Sequence, residues 1–437
     1  MKQKSTPGGK QASALLTLVL AGEGIFLLPF VLARILRPTY LDVFGLTNLQ
    51  LGAAFSVYGI LAMLSYFPGG LLADRFSAKK LMMAAILATA LGGALLAIMP
   101  PLNTIIILYG FWGVTTILLF WGALIRLTRE WGGEGRQGIA FGLLEGGRGL
   151  MAAVMATVVV AVFAALLPTG IAQEATPGQR ANALGSIFWL STVLLVGIAL
   201  LVWFFIPGKG EKGVAVSDQP FSLKAARSLL RIPTIWLQAV IVFCAYTAYK
   251  TIDYFSLYAS QVAGFDDVVA ARLTAIVFWL RPVAAVGAGF LGDRARSSQV
   301  VLWSFGAVAA GCSVFAAGIL PTGIYAWLLL AMIGTGAAIY ALRGVYFALM
   351  EEARIPVGLT GTAVGIISMV GFLPDVFISP IWGYLIDRTP GEAGFQQVFG
   401  LVAGFAALGM IAALFFKKQA ARSAASANKF ARMKGVD

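Results

Sequence analysis

The 437-residue chain is 59% hydrophobic and 12% charged, with a net charge of +13, and its mean hydropathy is +0.87. A water-soluble protein carries about 25% charged residues, so a soluble globular enzyme is excluded and the apolar mass belongs in a bilayer. The absence of His removes imidazole metal sites and His proton relays.

Taken in order, twelve apolar runs reach the roughly 20 residues that a spanning helix needs. They lie near 12–36, 48–73, 80–99, 103–126, 139–167, 185–206, 233–260, 268–292, 299–319, 323–349, 358–384 and 395–416. The first is too long for a signal-peptide core and lacks a cleavage pattern, so it is read as a retained span. Cys244 and Cys312 lie far apart inside apolar runs and read as small core residues without a disulfide framework. The longest polar interval, Pro207 to Arg231, separates runs six and seven. The expected organisation is an N-terminal six-helix bundle over 1–206, a central loop over 207–232, a C-terminal six-helix bundle over 233–416 and a basic tail over 417–437. The fold class is all-α, a membrane protein of twelve transmembrane helices in two pseudo-symmetric bundles.

With the N-terminus placed inside, most of the 32 Lys and Arg residues fall on inner segments, and the outer segments hold only Arg34, Arg37, Arg180, Arg272 and Arg388. That asymmetry predicts both termini in the cytoplasm. The positive residues are scattered between apolar runs, so the basic balance reports topology rather than nucleic-acid binding.

A hexapeptide recurs. Gly70-Leu71-Leu72-Ala73-Asp74-Arg75, followed by Lys79 and Lys80, stands between runs two and three. Gly289 to Arg294, with Asp293, stands half a chain length later, and Gly383 to Arg388, with Asp387, ends run eleven. Helices two, five, eight and eleven are equivalent in a chain of four three-helix units; helix five lacks the pattern, and the copy on helix eleven points the opposite way, as inverted repeats predict. The glycine permits close backbone approach. An aspartate at the end of its own helix opposes that helix's dipole, so it calls for a donor elsewhere, a helix N-terminus or an Arg. A plain positive-inside anchor is the simpler reading of the same residues.

Ionisable residues within spans cost about 2.5–3.5 kcal/mol each on insertion scales, so they are expected to face a partner or a cavity. Glu23 lies in the middle of helix one. Glu145 and Arg148 are spaced i,i+3 in helix five, as are Lys250 and Asp253 in helix seven, which lets each pair meet on one face. Arg281 in helix eight and Arg343 in helix ten have no acidic residue within a turn, and Asp375 follows Pro374 in helix eleven. An arginine fork suits a carboxylate or phosphate, which makes Arg281, Arg148 and Arg343 candidate substrate ligands. Lys250, Tyr246 and Tyr249 join them, grouped by helical spacing. Glu23, Glu145, Asp253 and Asp375 are candidate proton carriers, with Glu23 preferred. Structural ion pairing is the alternative for each.

Twelve spans, a charged central loop and the G-x-L-x-D-R motif with its following lysines resemble the major facilitator superfamily, with Ser77 where that family usually has glycine. The resemblance implies alternating access, a single-chain carrier, and an inner-face gate formed by Gly70, Asp74, Arg75 and Lys79 together with Gly289, Asp293 and Arg294. The Gly-rich stretch Arg129 to Gly142, leading into Glu145 to Gly149, is similar to the helix four–five region of the organophosphate:phosphate antiporter branch. That branch's helix-five Asn and His are replaced here by Glu145 and Arg148, which narrows the expectation to a small anion. No metalloprotease, serine-hydrolase, Walker or CxxC pattern is present, so neither an enzyme nor ATP-driven transport is expected. No cofactor or metal is expected either. The expected partners are a small organic anion, protons or a counter-anion, and the lipid of an inner membrane. Export of amphiphilic drugs or lipids is the alternative.

Overall fold

The computed structural model describes residues 9–132, 137–207, 227, 229–355 and 360–433. The side chains of Lys10, Phe67, Asp74, Asp293, 137–139, 360–362 and 423–433 lie outside that description, as does most of the expected central loop. Among the described residues the regular structure is helical throughout. Twelve helices are long and apolar enough to cross a membrane: α1 (Gln11–Ile35), α2 (Asn48–Tyr66), α3 (Ala78–Ala97), α4 (Leu102–Gly132), α5 (Ala140–Leu166), α6 (Pro177–Phe205), α7 (Pro233–Gln261), α8 (Asp267–Gly292), α9 (Ser297–Ala316), α10 (Tyr325–Val345), α11 (Ala363–Arg388) and α12 (Glu392–Arg422).

Several ends differ from the hydropathy reading, two of them for a clear local reason. Helix α6 starts at Pro177 because Thr176 opens it with a capping box. Thr176 Oγ1 accepts from Gln179 N at 3.3 Å, and Gln179 Oε1 accepts from Thr176 N at 2.8 Å. Such a start satisfies orphan amides whatever the polarity of the first turns. The helix of α12 continues to Met433, since the basic tail is rich in Ala, Lys, Gln and Arg, all good helix formers.

Three spans carry a π-helical or 3-10 segment. In α1 the α-helix ends at Gly24 and resumes as a π-turn over Leu27–Val31. Pro29 cannot donate to a carbonyl four residues back, and Val31 N reaches Phe26 O instead, at 3.3 Å. Helix α4 is π-helical over Val114–Trp121, and α7 tightens to a 3-10 turn over Thr251–Tyr254. Each irregular segment adjoins a polar cluster described below, as such insertions commonly do.

The chain forms two compact units. One comprises Met1–Val216, Asp253–Pro282 and Asp375–Pro390; the other comprises Ser217–Ile252, Val283–Pro374 and Gly391–Asp437. This grouping follows packing and cuts through α7, α8 and α11.

In the first unit the third hexapeptide copy meets the start of α2. Asp387 Oδ2 accepts from Leu49 N at 2.7 Å, and Oδ1 accepts from Asn48 N and Asn48 Nδ2, both at 3.1 Å. Thr47 and Gln50 complete the cap as a second capping box. A carboxylate at a helix N-terminus meets both the free amides and the positive dipole end. Gly383 makes the approach possible, since a Cβ there would lie 2.4 Å from Asn48 O. Gly52 and Gly59 do the same against the backbone of Ser379 and Asp375, at 2.5 and 2.6 Å.

In the second unit, Gly409 receives the Phe305 ring, with a would-be Cβ 2.4 Å away, and Phe315 stacks on Phe399 at 4.5 Å. Together these lock α9 to α12. A Cβ on Gly344 would lie 2.8 Å from Ala285 O, so the glycine lets α8 and α10 approach.

The first-copy glycine, Gly70, has nothing within 4 Å of its would-be Cβ. Gly70→Ala is therefore expected to leave thermal stability unchanged or raise it by about 0.5–1 kcal/mol through helix propensity. Gly383→Ala should cost about 1–3 kcal/mol through overpacking. Thermal unfolding of the purified proteins checks the order; equal melting temperatures would contradict it.

Candidate functional site

Glu23 is buried in the middle of α1, at the residue before the helix loosens towards Pro29. Its Oε1 accepts from Arg281 Nη1 of α8 at 2.9 Å. Its Oε2 lies 3.3 Å from Arg148 Nε of α5, without hydrogen-bond alignment, and has no hydrogen-bond partner among the described residues. Arg148 is satisfied elsewhere. Its Nε donates to Gly22 O at 3.0 Å, and its Nη1 donates to Glu145 Oε1 at 2.6 Å, the pairing that i,i+3 spacing predicts.

The walls of this cluster follow from small residues and rings. A Cβ on Gly147 would lie 2.7 Å from Val19 Cγ2, and one on Gly22 would lie 3.1 Å from Arg148 Cδ, so α1 and α5 touch closely because both carry glycine. Gly149 lets Arg281 and Pro282 pass at 3.4 Å. Trp121, in the π-helical part of α4, and Phe26 stand 5.4 and 5.8 Å from the Arg148 guanidinium. Aromatic faces at such distances stabilise a desolvated cation. The cluster thus joins Glu23, Glu145, Arg148 and Arg281, all named from the sequence. Trp121 and Phe26 were not singled out as its wall, because their place follows from the α1–α4 packing.

A second buried group, in the same unit, was not legible as a site. Arg34 and Arg37 read as outer-end charges, yet they are 6% and 0% exposed. Arg34 Nε pairs with Asp253. Arg37 stacks on the Tyr254 ring at 4.0 Å and donates through Nε to Asn48 Oδ1 at 3.2 Å. Arg37 therefore reaches Asp387 through Asn48. Thr39 and Ser260 both donate to Asp267, at 2.8 and 2.7 Å. The sequence signal was slight: two arginines at i,i+3 where an apolar run ends before Pro38.

The other unit carries Lys250, Tyr246, Tyr249 and Arg343. The Arg343 guanidinium lies 3.9 Å from the Tyr249 ring centre and 5.6 Å from that of Tyr246. Tyr249 in turn packs on Tyr340, and Tyr246 on Phe372. Lys250 is 2% exposed, at the last α-helical residue before the 3-10 turn. In the first unit, Asp375 stands in the first turn of Pro374–Arg388, after the helix break at Phe372 and Leu373.

Of the expected gate residues, the Asp74 and Asp293 side chains lie outside the described residues. Arg75 and Arg294 are exposed, Arg294 folding over Phe290 at 4.2 Å, and Lys79 lies 5.0 Å from the Trp203 ring. Gly289, like Gly70, has nothing within 4 Å of a would-be Cβ. Arg126 Nη1 donates to Ala73 O at 2.6 Å and so closes one carbonyl at the end of the motif helix.

Twelve helices long and apolar enough to cross a membrane among the described residues, with paired charges buried in their packing, define a membrane protein. Residues 14–377 match the model of the Major Facilitator Superfamily, and the chain belongs to that family of secondary transporters. It is 28% identical over 398 residues to the inner membrane protein YqcE of Escherichia coli K12, covering 89% of this chain and 91% of that one. It is 27% identical over 376 residues to the probable nitrate/nitrite antiporter NarK1 of Thermus thermophilus, covering 78% of each. It is 24% identical over 399 residues to the probable sulfoacetate transporter SauU of Cupriavidus necator, covering 86% and 87%. The crystal structure of a bacterial homolog of the human lysosomal transporter Spinster shares the fold, with a TM-score of 0.75 and 14% identity over 95% of this chain and 99% of that one.

Removing Arg148 leaves Glu23 with one cation and strands a buried charge. Arg148→Gln is expected to destabilise the protein by about 3–5 kcal/mol. Glu145→Gln should cost less than about 1 kcal/mol, because the Glu145 side chain is 57% exposed. Unfolding midpoints of the two variants test the contrast.

Proposed function

We propose that the protein moves a small organic anion across the inner membrane by alternating access, with a proton carried alongside or a second anion exchanged. Both termini lie in the cytoplasm on this reading, as the Lys and Arg distribution suggests. The observation that carries it is the Glu23 carboxylate held between Arg148 and Arg281, with one oxygen buried and without a hydrogen-bond partner among the described residues. Glu23 stands where a substrate carboxylate or sulfonate would otherwise sit, because a guanidinium fork takes either.

Charge arithmetic then links proton and anion. With Glu23 ionised, Glu23, Glu145, Arg148 and Arg281 sum to zero. A proton on Glu23 removes one negative charge and leaves these four groups with a net single positive charge, which a monovalent anion neutralises. Anion binding without the proton would leave an uncompensated negative charge in a low-dielectric span, which is strongly disfavoured. The names of two relatives, a nitrate/nitrite antiporter and a sulfoacetate transporter, support an anion as cargo. Arg343, on Tyr249 and Tyr246, and Lys250 remain candidate substrate ligands by residue type. The hexapeptide copies are the gate elements, of which the Asp387 copy is engaged with a helix start.

Proteoliposomes test the reading. An inward pH gradient should drive accumulation of a small carboxylate or sulfonate. Glu23→Gln should abolish that accumulation while leaving anion–anion counterflow within a few-fold of the wild type, and Arg281→Gln should abolish both. Transport of amphiphilic cations with no anion flux would overturn the proposal.

A further inference from the structure

A cavity of about 610 Å³ lies in the second unit, against the first turns of α7 and the last turns of α12. It is lined by Arg231, Pro233, Trp236, Leu237, Val240, Phe415 and Gln419. It opens at the ends of two spans, since Pro233 is the first residue of α7 and Arg422 the last of α12. Its wall is apolar. Trp236, Leu237 and Val240 share one face of α7, and Phe415 and Gln419 share one face of α12 by i,i+4 spacing. Trp236 and Phe415 are 45% and 58% exposed. The Trp236 indole is held in place, with Nε1 donating to Leu230 O at 2.8 Å, so its ring is a fixed surface.

The rim is cationic. Arg227 and Arg231 precede α7, and both are exposed. Lys418 and Arg422, also exposed, follow Phe415 at i+3 and i+7, on the same side of α12. Lys417 is turned away to Gln299 Oε1. No Asp or Glu occurs from Arg227 to Ile252, or between Glu392 and Asp437, so no carboxylate in either segment offsets these cations.

An apolar wall below a cationic rim, at the end of membrane spans, is complementary to one class of molecule. We propose that this groove binds an anionic phospholipid, with its acyl chains along Trp236, Leu237, Val240 and Phe415 and its phosphate on Arg231 and Arg422. Clustered basic residues at the end of a span attract acidic headgroups by about 1 kcal/mol each, or roughly fivefold in affinity. The site is separate from the Glu23 cluster and does not rest on the transport reading.

Tryptophan quenching in bilayers tests it, using the full-length protein in phosphatidylcholine with increasing brominated phosphatidylglycerol. The Trp236 signal is the difference between the wild type and Trp236→Phe. Brominated phosphatidylglycerol is expected to occupy the groove several-fold more strongly than brominated phosphatidylcholine. Arg231→Gln and Arg422→Gln should each lower that preference about fivefold, and Arg231→Lys should keep most of it. Equal quenching of Trp236 by the two lipids would mark ordinary boundary lipid and overturn the proposal. So would a preference unaffected by either Gln variant, or one abolished by excess inorganic phosphate, which would make the rim a free-anion site. No quenching at all would show that the groove excludes lipid.

Discussion

A carboxylate cannot stay ionised in a membrane span unless cations reach it, and Glu23 is reached by two. That requirement shapes much of the surrounding packing. Arg148 gets close only because Gly22 and Gly147 let α1 and α5 touch, and Arg281 passes α5 over Gly149. The arginines need more acceptors than one carboxylate supplies. Arg148 finds them in Gly22 O and Glu145, so the ion cluster is also a hydrogen-bonded joint between helices. The loosening of α1 around Pro29 follows directly after Glu23. A regular α-helix has one register, whereas a π-turn can shift register locally, so the buried carboxylate sits at a point where its own helix can bend.

A second physical theme is the helix N-terminus as anion receptor. Asp387 takes two backbone amides of α2 and the Asn48 side chain. Asn48 then hands on to Arg37, whose guanidinium lies flat on Tyr254. These contacts help fasten segments of α1, α2, α7 and α11. These contacts are directional and charge-assisted, and they depend on a glycine at position 383. A joint built this way separates cleanly, because pulling the carboxylate away exposes amides and a carboxylate that water can satisfy. A large interdigitated apolar interface would not open so readily.

Local periodicity made some of this legible and sequence distance hid the rest. The spans could be read because about 20 apolar residues in a row have few other uses. The Glu145–Arg148 pair was legible because i,i+3 neighbours meet on any helix. The partner of Arg281 was not, since Glu23 is 258 residues away and nothing in the chain marks the two as neighbours. Arg34 and Asp253, 219 residues apart, were hidden in the same way, and the hydropathy reading placed Arg34 outside. The hexapeptide announced that its aspartate needed a donor, and Asp387 has a helix N-terminus. Which helix start it would be was a property of the tertiary packing. The start of α6 was misjudged because hydropathy weighs side chains, whereas a capping box works on backbone amides.

The charge balance of the Glu23 cluster has an electrical consequence. On the proposed reading the site passes from empty and ionised to protonated and loaded with a monovalent anion, and the charges of Glu23, Glu145, Arg148, Arg281 and the anion sum to zero in both states. The membrane voltage does about 2.3 kcal/mol of work per 100 mV on each uncompensated charge that crosses it. A neutral centre presents nothing for that field to act on, so both reorientation steps would run at rates independent of voltage. Such a carrier would respond to acidity and solute gradients and ignore the membrane potential.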